Sequence, residues 1–187
     1  MKKTLSTLLF LITFTAFSQA DSTYVKHHEV KINAFNVLIF KTIDLSYEYL
    51  INEESSVGVS LLFNLNDEDT DGPYYNETFA FTPFYRRYFS KKYAQGFFME
   101  GFGMYNKQQS YYYEYDIAGP DGTVRSYTTD QKTDNFALGI SLGAKFVSER
   151  GFAFEFLAGV GRNIFTSNND YNTEFVPRFA TSLGYRF

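Results

Sequence analysis

The stretch FVPRFATSLGYRF, residues 175–187, decides the fold. Its alternate positions fall into two sets. One set is bulky and mostly apolar and includes Phe175, Pro177, Phe179, Thr181, Leu183, Tyr185 and Phe187. The other set is mostly small or basic and includes Arg178, Ala180, Ser182, Gly184 and Arg186. Because successive side chains of a β-strand point to opposite faces, the stretch predicts a strand with one apolar face and one polar face.

The same alternation recurs along the chain and predicts eight strands. They cover residues 29–39, 42–51, 56–65, 77–89, 97–108, 135–147, 152–163 and 175–187. Short connections at 52–55, 90–96 and 148–151 alternate with long ones at 66–76, 107–134 and 164–174, and a tight turn near residues 40–41 is the exception. An even strand number with alternating connection lengths is typical of an up-and-down barrel.

Alternation alone leaves two kinds of barrel open. A soluble, lipocalin-like barrel would turn its apolar face inward around a ligand. The interior of eight strands is only wide enough for side chains to fill, however, and glycines and alanines share the face that carries the charges. The sequence therefore predicts an all-β, eight-stranded antiparallel up-and-down transmembrane β-barrel with its apolar face toward lipid.

The first residues predict secretion. Lys2 and Lys3 precede an apolar run over residues 5–17, and Ser18-Gln19-Ala20 offers a cleavage site. This pattern predicts a signal peptide at residues 1–20 and a barrel domain at 21–187, since the run is shorter than the roughly 20 residues of a membrane-spanning helix. There is no cysteine, which excludes disulfides, and the formal net charge of −4 argues against a nucleic-acid partner.

Four short stretches carry a family resemblance: IDLSYEY (43–49), TPFYR (82–86), FFMEG (97–101) and LGYRF (183–187). With them the chain resembles small outer-membrane barrels of the OmpA/OmpX type and, more narrowly, an uncharacterised family of small outer-membrane barrels. The resemblance implies the outer membrane of a Gram-negative bacterium, contact with lipid and lipopolysaccharide, and the barrel-assembly machinery as a partner. It also implies that Tyr185 and Phe187 form the assembly signal, and it carries over no catalytic residue.

The inward face is predicted to hold charged side chains of both signs. They are Lys31, Asp44, Glu48, Arg86, Glu100, Lys145, Glu155, Arg178 and Arg186. Because unpaired charges are costly in a tight interior, their near balance predicts an ion-paired plug, with Arg86 of strand four beside Glu100 of strand five. The alternative is an ion or proton path through a narrow pore.

The histidine content favours a protein that is not an enzyme. His27 and His28 are the two histidines of the chain, and they precede the first strand. A histidine base must lie within hydrogen-bonding reach of its nucleophile. The long connections, where active sites of small barrel enzymes would lie, are at the opposite end of the predicted barrel.

Two long connections carry candidate binding residues. Asp67, Asp69 and Asp71 match the opening of a Ca²⁺-binding loop, although Thr78 stands where the motif requires glutamate, and a solvated acidic loop is the alternative. No other cofactor is implied. The longest connection contains five tyrosines around a Gly-Pro-Asp-Gly turn: Tyr111, Tyr112, Tyr113, Tyr115 and Tyr127. This arrangement predicts a protruding hairpin that contacts a protein or glycan, or else a part of the aromatic girdle at the membrane interface.

Overall fold

Eight strands and one short helix make up the described part of the chain. A computed structural model describes residues 25–65, 77–117, 124–167 and 174–187, with side chains for all of these except 110–131. The elements are β1 (His28–Asn33), α1 (Ala34–Phe40), β2 (Thr42–Asn52), β3 (Ser55–Asn64), β4 (Glu77–Tyr88), β5 (Gly96–Ile117), β6 (Val124–Val147), β7 (Phe152–Thr166) and β8 (Phe175–Arg186). The predicted signal peptide lies outside these residues.

Each strand pairs antiparallel with the next, and β1 also pairs with β8, so the sheet closes into a barrel. The predicted eight-stranded up-and-down barrel is confirmed. One end carries the short connections together with His28 and Phe187, and we call it the turn end. The other end carries α1 and the connections at 66–76, 118–123 and 168–173, and we call it the loop end. No helix of the described residues is long and apolar enough to cross a membrane.

The apolar face of the barrel points outward. On β6, Ile140 is 62% exposed while its neighbour Ser141 is 1% exposed. On β2, Leu45 and Tyr47 are exposed and Glu48 is fully buried. The alternation read from the sequence therefore sorts side chains as predicted, with charges and small residues on the inner face.

The predicted first strand is wrong beyond Asn33. Residues 34–40, AFNVLIF, form α1 instead, and Asn36 is the residue that the helix buries. Asn33 caps the helix: its side-chain oxygen accepts a hydrogen bond from the backbone N–H of Asn36 at 3.4 Å. Lys41 ends it in the left-handed conformation, with φ of 51°. The tight turn predicted near residues 40–41 is accordingly replaced by a helix that packs between β2 and β8.

Strands β5 and β6 are much longer than their neighbours. Their register runs from Gly96↔Lys145 to Ile117↔Val124, whereas β4 leaves β5 at Gln108 and β7 leaves β6 at Asn135. Beyond those residues the two strands pair with each other as a ribbon roughly 30 Å long, at about 3.4 Å per residue. The predicted extension of this hairpin is confirmed for its backbone.

Candidate functional site

Glu48 lies at the centre of the lumen and collects hydrogen bonds from several strands. It is fully buried. Its carboxylate accepts from Lys31 Nζ, Ser56 Oγ, Arg86 Nη1, Tyr88 Oη and Lys145 Nζ, all at 2.5–2.8 Å. These donors come from β1, β3, β4 and β6. One carboxylate therefore ties together strands on opposite sides of the barrel.

Two further carboxylates extend the network from Arg86. Glu155 of β7 accepts from Arg86 Nη1 at 2.7 Å and from Lys31 Nζ at 2.8 Å. Glu100 accepts from Arg86 Nε at 2.7 Å and from Arg178. The predicted pair between Arg86 and Glu100 is confirmed, and the two residues are also partners in the β4–β5 register.

Glu29 completes the network toward the turn end, and the sequence analysis missed it. Its carboxylate accepts from Lys145 Nζ at 2.8 Å and from Arg186 Nε at 2.6 Å. Arg186 also donates to the carbonyl oxygens of Tyr93 and Ala94, which holds the β4–β5 turn against the lumen. The available signal was spacing, since Glu29 precedes Lys31 by two residues and shares its face.

Asp44 lies on the inner face, as predicted, but its hydrogen-bond donors are neutral side chains. Its carboxylate accepts from Ser60 Oγ at 2.6 Å, Asn33 Nδ2 at 3.0 Å and Asn36 Nδ2 at 3.1 Å. The other eight predicted lumen charges form one ion-paired network together with Glu29. That network holds five basic and four acidic groups, and two further acids, Asp44 and the buried Glu77, line the lumen toward the loop end.

Aromatic rings fill the space around these charges. The Arg86 guanidinium lies 4.4 Å from the ring centre of Phe84 and 4.5 Å from that of Phe98. The rings of Phe84, Phe98 and Phe102 in turn lie over glycines of other strands, namely Gly58, Gly143 and Gly139. Since a side chain at those positions would collide with the rings, the glycines are what make room for bulky residues in a narrow lumen.

The remaining space in the lumen beside Asp44 and Arg178 is small. Two cavities of about 20 Å³ each lie there, and both are lined by these two residues. A cavity of that size holds about one water molecule. In this part of the barrel the side chains form a filled plug.

The comparison with protein families identifies the chain at family level. It matches the family described as "Protein of unknown function (DUF3575)" over residues 6–181. The chain belongs to the DUF3575 family. Neither a curated protein nor a solved structure matches it. The resemblance is thus confirmed in its coarser form, an uncharacterised family with an eight-stranded β-barrel.

Histidines and aromatic residues of the DUF3575 chain meet at the turn end. His27 Nδ1 lies 2.8 Å from the Leu50 carbonyl oxygen, and His28 Nδ1 lies 2.6 Å from the Tyr47 hydroxyl. The His28 ring stacks on Phe187 with 5.8 Å between ring centres. Partial burial in the β4–β5 turn raises the pKa of Tyr93. The stack of His28 on Phe187 joins the two strands of the β1–β8 seam.

The predicted surface sites of this DUF3575 member are only partly covered by the structure. Asp67, Asp69 and Asp71 lie outside the described residues. The five tyrosines of the hairpin belong to the two strands of the ribbon. In their register Tyr111 pairs with Asp130, Tyr115 with Ser126 and Tyr127 with Glu114. In the described ranges, no group of three or more histidines, cysteines or acids is placed to hold a metal ion. Tyr185 pairs with Val30 in the β1–β8 seam, and the Phe187 N–H donates to the His28 carbonyl oxygen at 2.8 Å.

Proposed function

We propose that this protein is a non-enzymatic integral barrel of the outer membrane of a Gram-negative bacterium, and that its role is structural or an interaction made at the loop end. The observation that carries the proposal is a pair of aromatic girdles on its outer surface. Around the turn end the exposed aromatic residues include Tyr49, Phe89, Phe97, Phe146, Phe152 and Phe187. Around the loop end they include Phe63, Phe81, Phe136, Phe165 and Phe175.

The distance between the girdles matches a bilayer. On β6, ten residues separate Phe136 from Phe146. At about 3.4 Å per residue and a strand tilt of about 40°, they span roughly 26 Å along the barrel axis, against the ~25 Å apolar band of membrane barrels. Exposed apolar residues such as Ile140 and Leu142 lie between the girdles. Monomeric soluble proteins rarely expose a continuous apolar surface of this extent, which favours lipid as its solvent.

The lumen supports a structural role over a conducting one. Nine of its charged groups form one ion-paired network, its cavities beside Arg178 hold about one water each, and the β4–β5 turn covers the turn end. A narrow pore remains the competing function, and single-channel conductance in planar bilayers tests it directly. A plugged barrel gives no steps above the background of the lipid.

The ribbon of β5 and β6 is the surface best suited to an interaction. A two-stranded ribbon is marginally stable alone, and its open edges can pair with another strand. The sequence puts Tyr111, Tyr113 and Tyr127 on it, and tyrosine gives rigid, amphipathic contact area. We therefore propose the ribbon as the contact with a protein or glycan partner, with lipopolysaccharide and lipid around the barrel wall.

A charge on the outer wall tests the lipid environment. Ile140 lies near the middle of the apolar band, so Ile140→Arg is expected to cost about 2–4 kcal/mol of unfolding free energy in a membrane barrel. Phe165→Arg in the girdle is the matched control, with an expected cost of about 0–1 kcal/mol. In a soluble barrel both exposed positions would accept arginine within about 0.5 kcal/mol. Equal, small effects in urea unfolding from vesicles would contradict the proposal.

A further inference from the structure

Helix α1 replaces the loop-end half of β1 in the barrel wall. The β1–β8 register ends at Asn33↔Ser182, and beyond it α1 packs against β8, with Phe35 near Phe179 and Thr181. Thr181 N–H and Phe179 C=O point to this side, because both bond to the Asn33 side chain at 3.2 Å. Pro177, two residues from Phe179, would direct its N–H to the same side of β8, but proline has no N–H. Proline in sheets belongs on such edges, so this half of β8 is suited to lacking a strand neighbour.

A hydrogen-bonded triad fixes the position of α1. Asn33 at the start of the helix and Asn36 within it both donate to Asp44 Oδ2 of β2, at 3.0 Å and 3.1 Å. Asn36 is buried, whereas Leu38 on the other side of the helix is 79% exposed. The helix therefore has one polar attachment toward the lumen and an apolar surface toward the outside.

The placement of α1 creates a groove on the outer wall. Phe35 of α1 faces the outer surfaces of β6, β7 and β8, and together they line a groove of about 390 Å³. Its volume falls within the ~300–1,000 Å³ range of small-molecule sites. The bulky side chains of Phe156 and Phe179 project from the wall beside the groove. The small side chains of Ala144 and Ala158 do not fill the space next to these rings, and this space is the groove.

We propose that this groove binds one acyl chain of a phospholipid from the surrounding bilayer. The proposal rests on the proposed membrane location. The groove opens on the same outer face as the apolar band, and it is lined almost wholly by hydrocarbon, so it would recognise a chain and not a headgroup. If the groove were empty, the atoms that line it would have no dispersion contacts on that side. A lipid acyl chain is slender enough to enter the groove and make those contacts. The bulky side chains of Phe35, Phe156 and Phe179 at the groove keep a flat protein surface from reaching the floor.

The chain contains no tryptophan, so a single introduced tryptophan reports on the groove. Phe179→Trp places it on the groove, and Phe81→Trp is the matched control on β4, on the opposite side of the barrel and also facing outward. Both variants are placed in phosphatidylcholine vesicles that contain increasing fractions of chain-brominated phosphatidylcholine, which quenches nearby tryptophan. We expect half-maximal quenching of Phe179→Trp at a severalfold lower fraction of brominated lipid than for Phe81→Trp.

Filling the groove should abolish this difference. Ala158 is exposed on the outer wall, so Ala158→Phe adds bulk to the groove without touching the lumen. In the Phe179→Trp background it is expected to bring the quenching curve onto that of Phe81→Trp. Identical curves for the two single-tryptophan variants, or no effect of Ala158→Phe, would overturn the proposal. Quenching that increases when the protein is diluted in lipid would instead show that a second copy covers the groove, which also overturns it.

The outcome is separable from that of the membrane proposal. Every variant is first tested for heat-modifiable mobility in the vesicles, and a parent protein that fails to insert refutes the membrane location itself. If Phe179→Trp does not fold, Phe35→Trp places the reporter on the helical wall of the same groove. A folded, inserted barrel with equal quenching at both sites refutes the lipid site alone.

Discussion

Glu48 of β2 and Lys145 of β6 form a 2.8 Å ion pair between strands on opposite sides of the barrel. Each also bonds to a second partner of opposite sign: Glu48 accepts from Arg86, and Lys145 donates to Glu29. The pair therefore spans the lumen and links the turn end to the centre of the network. Around it, buried Leu50, Tyr88 and Phe98 pack as an apolar cluster, so ion pairs and aromatic rings together fill the lumen at this level.

Removing the central carboxylate should destabilise the barrel strongly. Glu48→Gln leaves Lys31, Arg86 and Lys145 short of one negative charge while nearly preserving side-chain volume. Breaking a buried ion pair in this way costs about 3–5 kcal/mol. We expect that loss in urea unfolding from lipid vesicles.

The matched control for Glu48→Gln is Glu54→Gln. Glu54 pairs with Arg87 on the surface, where both side chains are more than half exposed, and such pairs contribute about 0–1 kcal/mol. Similar losses for the two variants would show that the lumen network does not hold the barrel together.

Glycine in the lumen should be intolerant of even one methyl group. A Cβ at Gly139 would lie 2.6 Å from the Cα of Gly161 and would overlap the Phe102 ring. Gly139→Ala is therefore expected to cost about 1–3 kcal/mol through overpacking. At Gly101 of β5 nothing lies within 4 Å of an added Cβ, so Gly101→Ala should be neutral. Equal unfolding free energies for the two variants would contradict the packing described.

The Asn33 side chain should contribute through both the helix and the strand edge. Asn33→Ala removes the helix cap, worth about 1 kcal/mol, together with the bonds to Asp44 and to β8. Asn33→Ser retains a capping oxygen but not the amide donor. We expect a larger loss of unfolding free energy for alanine than for serine, and faster hydrogen exchange in α1 for both. Unchanged exchange in α1 would refute the attachment.

The tyrosine ribbon should be dispensable for folding and required for interaction. Replacing residues 110–131 by Asn-Gly joins Gln109 to Lys132, which are register partners, through a two-residue hairpin turn. Barrel stability should be unchanged, whereas adhesion to envelope glycans or partner proteins should be lost.

Changing the five ribbon tyrosines to serine keeps the length of the ribbon and serves as the matched variant. The same loss of adhesion is expected. Full adhesion in both variants would assign the interaction to another part of the loop end.

The strands could be predicted from sequence because alternation is a local property. In β8, for example, alternation alone assigns Phe179 to the outer face and Arg178 to the inner face, whichever strands pair with β8. The helix α1 could not be predicted, because its formation depends on the reach of Asn36 to Asp44 across the wall. Cross-lumen pairs such as Glu48 with Lys145 depend on the stagger of all eight strands, and alternation contains no information on that stagger.

The lumen aromatics were hidden for a related reason. Phe98 and Phe102 point into the lumen, where an eight-stranded barrel is expected to have little room for large side chains. The strand pairing makes room for them by placing Gly143 and Gly139 under their rings. Glu29 was missed because it lies near the start of β1. A polar residue at the end of a strand is equally expected to face solvent.

The most direct test of the central claim, an integral outer-membrane barrel, is electrophoresis of the outer-membrane fraction in detergent with and without boiling. The account predicts that the protein is recovered in that fraction and that its mobility changes on boiling, because a closed barrel resists detergent until heated. Recovery as a soluble periplasmic protein with a single, heat-independent mobility would contradict it.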